Sequence, residues 1–201
     1  MKKLITLCIL GLITCAAGDE ISFNLSGLTA VAGDPVYAQL TNNAGPVSVT
    51  LDGLTAIFTA NTGTMHRTGS GFGIRSDAGS VTYEIEASVV AREALLVQFD
   101  QDVEITLVDL RRFENGETFN VIFDSTDHLI GYDDLTNKTT AIYATSWFIS
   151  AGKTVEFTVL PGSGVSLDGF TVTVVPEPAA ALILASSLLA LGFYRRFFCL
   201  L

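Results

Sequence analysis

Residues 155–174 read VEFTVLPGSGVSLDGFTVTV and contain two alternating segments joined by a turn. Apolar residues occupy every second position from Val155 to Val159 and again from Phe170 to Val174. Successive side chains of a β-strand point to opposite faces, so this pattern predicts two strands with one buried face each. Pro161-Gly162 between them is typical of a turn, and Asp168-Gly169 predicts a second one.

The same alternation recurs along the chain and predicts an all-β fold. About ten short strands in roughly 155 residues are typical of a two-sheet antiparallel sandwich, and we expect jelly-roll-like connections. The other candidate strands are Ile21–Leu25, Val36–Leu40, Val47–Leu51, Leu54–Thr59, Val81–Ile85, Leu95–Phe99, Val103–Leu107 and Phe119–Phe123. We assign residues 19–174 to this single domain, residues 1–18 to a signal peptide and residues 175–201 to a C-terminal tail.

The tail predicts a membrane helix. Residues 179–194 carry no charged side chain, and Arg195 and Arg196 follow them. A helix of this length spans about 24 Å, close to the hydrocarbon core of a bilayer, and clustered arginines favour the cytoplasmic side. Pro176 and Pro178 surround Glu177 in an extended, accessible segment, because proline continues neither a helix nor a central strand. The alternative is a buried C-terminal core helix.

This tail resembles the PEP-CTERM sorting signal of Gram-negative bacteria. The resemblance rests on Pro176-Glu177-Pro178, the apolar run 179–194 and Arg195-Arg196, in that order. It implies that an exosortase recognises and processes the tail, and that the protein is an inner-membrane intermediate before it reaches the cell surface or the extracellular matrix. One departure is the segment 197–201, which is more apolar than the short basic ending usual in that family.

The N-terminus predicts export. Met1-Lys2-Lys3 precedes the apolar run from Leu4 to Thr14, and small residues follow up to Gly18. This is the pattern of a secretory signal peptide, so the Sec translocon and signal peptidase are expected partners. An alternative is a lipoprotein anchored at Cys15. The body from residue 19 to residue 174 contains no cysteine, so packing alone must stabilise it in an oxidising compartment.

The exported body is strongly acidic. Residues 19–174 contain 20 acidic and 7 basic side chains, a net charge of −13. Nucleic-acid binding needs clustered lysines and arginines, so the composition argues against a nucleic-acid partner. It is compatible with a soluble ectodomain among polysaccharides, and we expect an exopolysaccharide or biofilm context.

Residues 61–79 form the longest stretch without strand alternation. The stretch is rich in Gly, Ser and Thr and carries His66, Arg67, Arg75 and Asp77. Long loops are functional or mobile, so these four residues are a candidate ligand site.

Four aspartates predict a metal site. Asp124, Asp127, Asp133 and Asp134 fall in a second region predicted to be a loop, where carboxylates can converge. Calcium takes six to eight oxygen ligands, and a structural calcium ion is the one cofactor we consider. The alternative is that these acids are simply solvated.

No motif predicts a reaction, so we expect a non-enzymatic surface or matrix protein. A calcium- or carbohydrate-binding module is the alternative, and Trp147 is a candidate sugar platform or core anchor. A polysaccharide hydrolase would need Glu84 and Glu86 in a concave cleft, because paired carboxylates hydrolyse glycosides.

Overall fold

A computed structural model describes residues 19–25, 40, 42–68, 71–76, 84–87, 92–138 and 141–175. In this part of the chain the protein is all-β, and its strands form two antiparallel sheets, as the alternation predicted. The strands are β1 Glu20–Asn24, β2 Val47–Leu51, β3 Leu54–Ala60, β4 Thr64–Thr68, β5 Gly71–Arg75, β6 Ile85–Glu86, β7 Ala94–Phe99, β8 Val103–Arg111, β9 Thr118–Phe123, β10 Thr126–Gly131, β11 Ile142–Ile149, β12 Thr154–Val159 and β13 Gly164–Val174.

Sheet I is built around the long strand β13. Its strand order is β11-β8-β13-β5-β4. One edge of β13 pairs with β8 over nearly its whole length, and the other edge pairs in succession with β6, β5 and β1. The first and last strands of the body therefore lie side by side, with Glu20 opposite Thr173.

Sheet II has the strand order β10-β9-β12-β7-β3-β2. Its consecutive neighbours are antiparallel, and the Asp52-Gly53 turn joins β2 to β3 with positive φ at both residues, 48° and 85°. Two such residues in succession suit a tight hairpin, because their twist matches that of the strands.

Phenylalanines from both sheets join in the core. Phe170 of β13 stacks on Phe23 of β1 and on Phe157 of β12, with ring centroids 5.2 Å apart in each pair. Phe58 of β3 and Phe99 of β7 lie at 6.2 and 6.1 Å from the same ring. All five rings are buried. Aromatic pairs at these separations add to the hydrophobic stabilisation, and Phe170 contacts three rings of the opposite sheet.

The prediction of a loop over residues 61–79 was wrong for the described residues of that range. Strands β4 and β5 occupy it and pair as a hairpin, with Met65 opposite Ile74. Glycines at positions 71 and 73 and charged residues within both strands hide the apolar–polar alternation, yet Met65, Phe72 and Ile74 are fully buried. The hairpin forms because these side chains enter the core.

The predicted acidic loop is also corrected, because Asp127 lies on β10 and residues 132–134 form a short 3-10 helix. Strand β11 was missed because its exposed and half-buried positions carry polar and apolar residues alike. Asp168-Gly169 lies inside β13 rather than in a turn.

Several predictions concern residues outside the described part. These are the signal peptide 1–18, Asp77, most of the candidate strands Val36–Leu40 and Val81–Ile85, the motif 176–178, the helix 179–194 and the end 195–201. The described ranges contain no helix with the length and apolar composition that a membrane crossing requires.

Candidate functional site

A β-bulge in β13 creates the site. Leu167 pairs with Leu110 and Gly169 with Asp109, so Asp168 is an extra residue in β13. The bulge resets the alternation of the strand, which lets Leu167 and Phe170 both face the core. Asp168 is thereby brought beside Asp109 on the outer face of sheet I.

Gly169 allows this bulge to pack against β1. A Cβ atom at this position would lie 2.5 Å from the carbonyl oxygen of Phe23, which is closer than real contacts permit. The Leu25 amide donates a hydrogen bond of 2.7 Å to the carbonyl oxygen of Asp168. The site is therefore held by backbone contacts between the two terminal strands.

Two carboxyl groups with different environments meet here. Arg111 Nε lies 2.9 Å from Asp168 Oδ2 and forms an ion pair with it. Burial, reinforced by the charge of Asp168 and opposed by Arg111, raises the pKa of Asp109 to about 6. Asp109 can therefore donate a hydrogen bond when it is protonated, whereas the Asp168 carboxylate is only 11% exposed and is engaged with Arg111.

Two open grooves meet at these carboxyl groups. The larger groove, of about 510 Å³, runs from them towards Phe113, Lys138 and Ile142. The smaller groove, of about 190 Å³, runs the other way across β13 and β1 to Ser22. Asp109 and Asp168 line both grooves. We call the two together the trough. It crosses β11, β8, β13 and β1, a distance of about 14 Å at the usual strand spacing.

The charges of the residues that line the trough balance. Its acidic lining residues are Asp109, Glu114 and Asp168, and its basic ones are Arg111, Arg112 and Lys138. Three of the seven basic residues within residues 19–174 thus lie at this one place. The lining residues alone carry no net charge, but Glu84 and Asp133 pair with Arg112 and Lys138 from outside the lining and add two acidic groups beside the trough.

The trough lies away from the chain ends of the body. Thr173 pairs with Glu20 at one end of the sandwich, whereas Asp168 lies five residues back along β13, about 17 Å away. The Val175 amide, at the end of the described part, donates a hydrogen bond of 2.9 Å to the carbonyl oxygen of Asp102.

The structure places the predicted ligand-loop residues on a hairpin. His66 and Arg75 share its outer face. Burial lowers the pKa of His66, and the charge of the nearby Arg75 lowers it further. Arg67 lies on the opposite, core-facing side and is 3% exposed. The three residues therefore do not converge.

The four predicted metal ligands bind different partners. Asp127 accepts a hydrogen bond from Asn120, Asp133 from Lys138, and Asp134 from the Gly131 amide. Asp124 lies 4.0 Å from Lys153. Within the described ranges, no three His, Cys, Asp or Glu side chains lie close enough to hold a metal ion.

Glu84 and Glu86 do not line the trough. Glu84 lies 3.6 Å from Arg112, and burial raises its pKa. Trp147 is partly buried against the core, with its ring centroid 5.1 Å from that of His128, and so packs between the β10 and β11 edges.

Sequence reasoning missed Asp109, Arg111 and Asp168. Asp109 lies between buried Val108 and Leu110, so its position in the sequence looks like that of any solvent-facing residue of a strand. Asp168 precedes a glycine and matches a turn. No local signal could have brought them together.

The chain was compared with protein-family models, curated proteins and solved structures, and none of the three comparisons found a match.

Proposed function

We propose that this chain is a non-enzymatic surface or extracellular-matrix protein, exported by Sec and sorted by an exosortase through residues 176–178, 179–194 and 195–196. In this proposal the body has jelly-roll-like connections, and a C-terminal helix holds it in the inner membrane until processing. The β-sheet domain is then presented among exopolysaccharide.

The pairing of β1 with β13 carries the proposal. The body begins and ends in neighbouring antiparallel strands, with Glu20 beside Thr173. The predicted cleavage site before residue 19 and the predicted motif at 176–178 are therefore both within a few residues of the same end of the domain. All described strands lie between residues 20 and 174, so neither segment supplies one of them.

A carbohydrate-binding module is the second candidate, and the trough favours it over a calcium-binding module. The trough offers paired carboxylates and arginines in an open groove. The described acids form no group of three that could hold an ion.

The experiment is the intact mass of the protein from its native host, with and without deletion of the exosortase gene. We expect a mature form that ends near Pro176 to Pro178 in the parent strain and its loss in the deletion strain. A matched pair of variants sharpens the test: Glu177→Ala should block processing, whereas Glu114→Ala, an exposed glutamate of the body, should not. A mature form that keeps residues 179–201 in both strains would refute sorting.

A further inference from the structure

We propose that the outer face of sheet II, the side of that sheet turned away from the core, binds the same face of a second copy of this chain. The protein would then form a two-fold symmetric dimer, the commonest assembly of soluble chains, in which identical surfaces meet. This inference goes beyond the proposed function, because it concerns self-association and does not depend on processing of the tail.

The outer face of sheet II carries little charge. The six described strands of this sheet contain two carboxylates, Asp127 and Glu156, and no lysine or arginine. Asp127 lies on the edge strand β10, and Arg92 pairs with Glu156 at 2.7 Å. The body as a whole has a net charge of −13. Two acidic copies can therefore approach through this face with little local repulsion.

Exposed apolar side chains are concentrated on the same face. In the described part of the chain, three of the four large hydrophobic residues that are well exposed belong to it: Ile57 on β3, Leu129 on β10 and Leu160 directly after β12. Ile57 lies between buried Ala56 and Phe58, so its side chain points away from the core. Leu129 is 53% exposed. Covering these side chains removes apolar area from water, which favours association.

Polar side chains of the face are hydrogen-bonded to one another. Gln98 Nε2 donates to Thr154 Oγ1 at 2.7 Å, and the hydroxyl groups of Thr50 and Thr55 form a hydrogen bond of 3.1 Å. A buried polar group without a partner costs about 1–3 kcal/mol, whereas one that keeps its partner costs much less. A second copy can therefore cover these four side chains at a small cost in desolvation.

The face is large enough for a weak dimer. Its six strands, about 4.8 Å apart, make it about 24 Å wide, and strands of about six residues make it about 20 Å long. The flat area is therefore about 480 Å² per copy, so a dimer buries about 1,000 Å², near the lower limit for a specific interface. We expect a dissociation constant on the order of 10 µM, because interfaces of this size are weak.

The test is sedimentation velocity of the full-length protein in a nonionic detergent, over a range of protein concentrations, at low and at physiological NaCl. We expect a monomer–dimer equilibrium that strengthens with salt, because screening weakens the repulsion between two acidic bodies. Ile57→Glu and Leu129→Glu should each weaken dimerisation about tenfold or more, because each places like charges at the interface. Phe148→Glu is the matched control: Phe148 is 51% exposed on β11 of sheet I, and its replacement should leave the dissociation constant nearly unchanged.

Thermal midpoints from circular dichroism show whether the variants fold, and two face variants keep the test decisive if one of them does not. A protein that stays monomeric up to about 200 µM, some twenty times the expected constant, would overturn the proposal. A dimer that neither face variant weakens would also overturn it and would assign self-association to the tail or to another face. A dimer that weakens with salt would mean that ion pairs hold it, which this face does not provide. Because the assay does not depend on processing, its failure leaves the mass test of sorting untouched.

Discussion

At the residue scale, Asp109 has the most perturbed environment of the trough. It lies on β8 between β11 and β13, half-buried, with Asp168 and Arg111 as its charged neighbours. Burial and the second carboxylate both disfavour its ionised form, and Arg111 only partly offsets them. Its protonation state therefore changes within the mildly acidic range.

Asp109 makes stability depend on pH. Folding raises its pKa from 3.8 to about 6, so the native state binds the proton more tightly than the unfolded state does. The contribution of Asp109 to the free energy of unfolding is most favourable below pH 3.8 and is lost as the pH rises through about 6. We expect Asp109→Asn to raise the urea midpoint above pH 6 and to change it little near pH 3.5. Urea denaturation of both proteins across this range measures the difference.

Asp133→Asn is the control of opposite sign. A hydrogen bond from Lys138 lowers the pKa of Asp133. The contribution of Asp133 to stability is therefore present at neutral pH and is lost as the pH falls. Asp133→Asn should therefore not stabilise the protein at neutral pH. A profile for Asp109→Asn that runs parallel to that of the parent would contradict the assignment to Asp109.

Phe170 is the second residue whose role can be measured. Its ring contacts four other buried phenylalanine rings from both sheets. We expect Phe170→Ala to lower the free energy of unfolding by about 3–5 kcal/mol, because it leaves a cavity between the sheets. Phe148→Ala is the matched control: Phe148 is 51% exposed, and its loss should change stability by less than about 0.5 kcal/mol. Similar losses of stability in both variants would contradict the role of the Phe170 ring in joining the two sheets.

At the element scale, the bulge in β13 determines how the terminal strand β1 packs. Asp168 and Gly169 provide the extra residue, and the missing side chain of Gly169 lets the Phe23 backbone approach. One local irregularity therefore has three effects: it keeps Phe170 in the core, places Asp168 beside Asp109 and accommodates β1.

Gly169→Ala tests this arrangement. The new Cβ atom would meet backbone, which cannot rotate away, so β1 must shift from β13. We expect a loss of about 1–3 kcal/mol in the free energy of unfolding, and faster amide hydrogen exchange in β1 than in β12. Gly45→Ala is the control, because the nearest atom to its added Cβ would be 3.8 Å away. Unchanged exchange in β1 would mean that the contact relaxes without loss of pairing.

At the scale of the whole molecule, charge repulsion opposes folding. The body carries 20 acidic and 7 basic side chains and no disulfide. Compacting so many like charges costs free energy, and salt screens that cost over about 10 Å at 0.1 M. The buried phenylalanine cluster must outweigh it.

Screening should therefore stabilise the protein. We expect the thermal midpoint at pH 7 to rise when NaCl is increased from 10 to 150 mM, measured by circular dichroism on the full-length protein in a nonionic detergent. Sodium sulfate at equal ionic strength separates screening from salt-specific effects. A midpoint that falls with NaCl would mean that ion pairs such as Arg111–Asp168 outweigh the repulsion.

The alternation of side chains was sufficient to predict two antiparallel sheets, because a strand with one buried face shows a period of two in its own residues. Val155–Val159 and Val103–Leu107 lie in strands as this period requires. The signals for export and sorting are also local, and they stay predictions on residues 1–18 and 175–201.

Tertiary structure alone decided where β4, β5 and β11 form and where the trough lies. Met65, Phe72 and Ile74 are buried in the core that distant strands share. The residues next to them in sequence give no indication of this burial. Asp109 and Asp168 meet only because β8 pairs with β13 and because one extra residue shifts that pairing. Such pairing depends on the energy of the whole core, so it cannot be predicted from any short stretch of sequence.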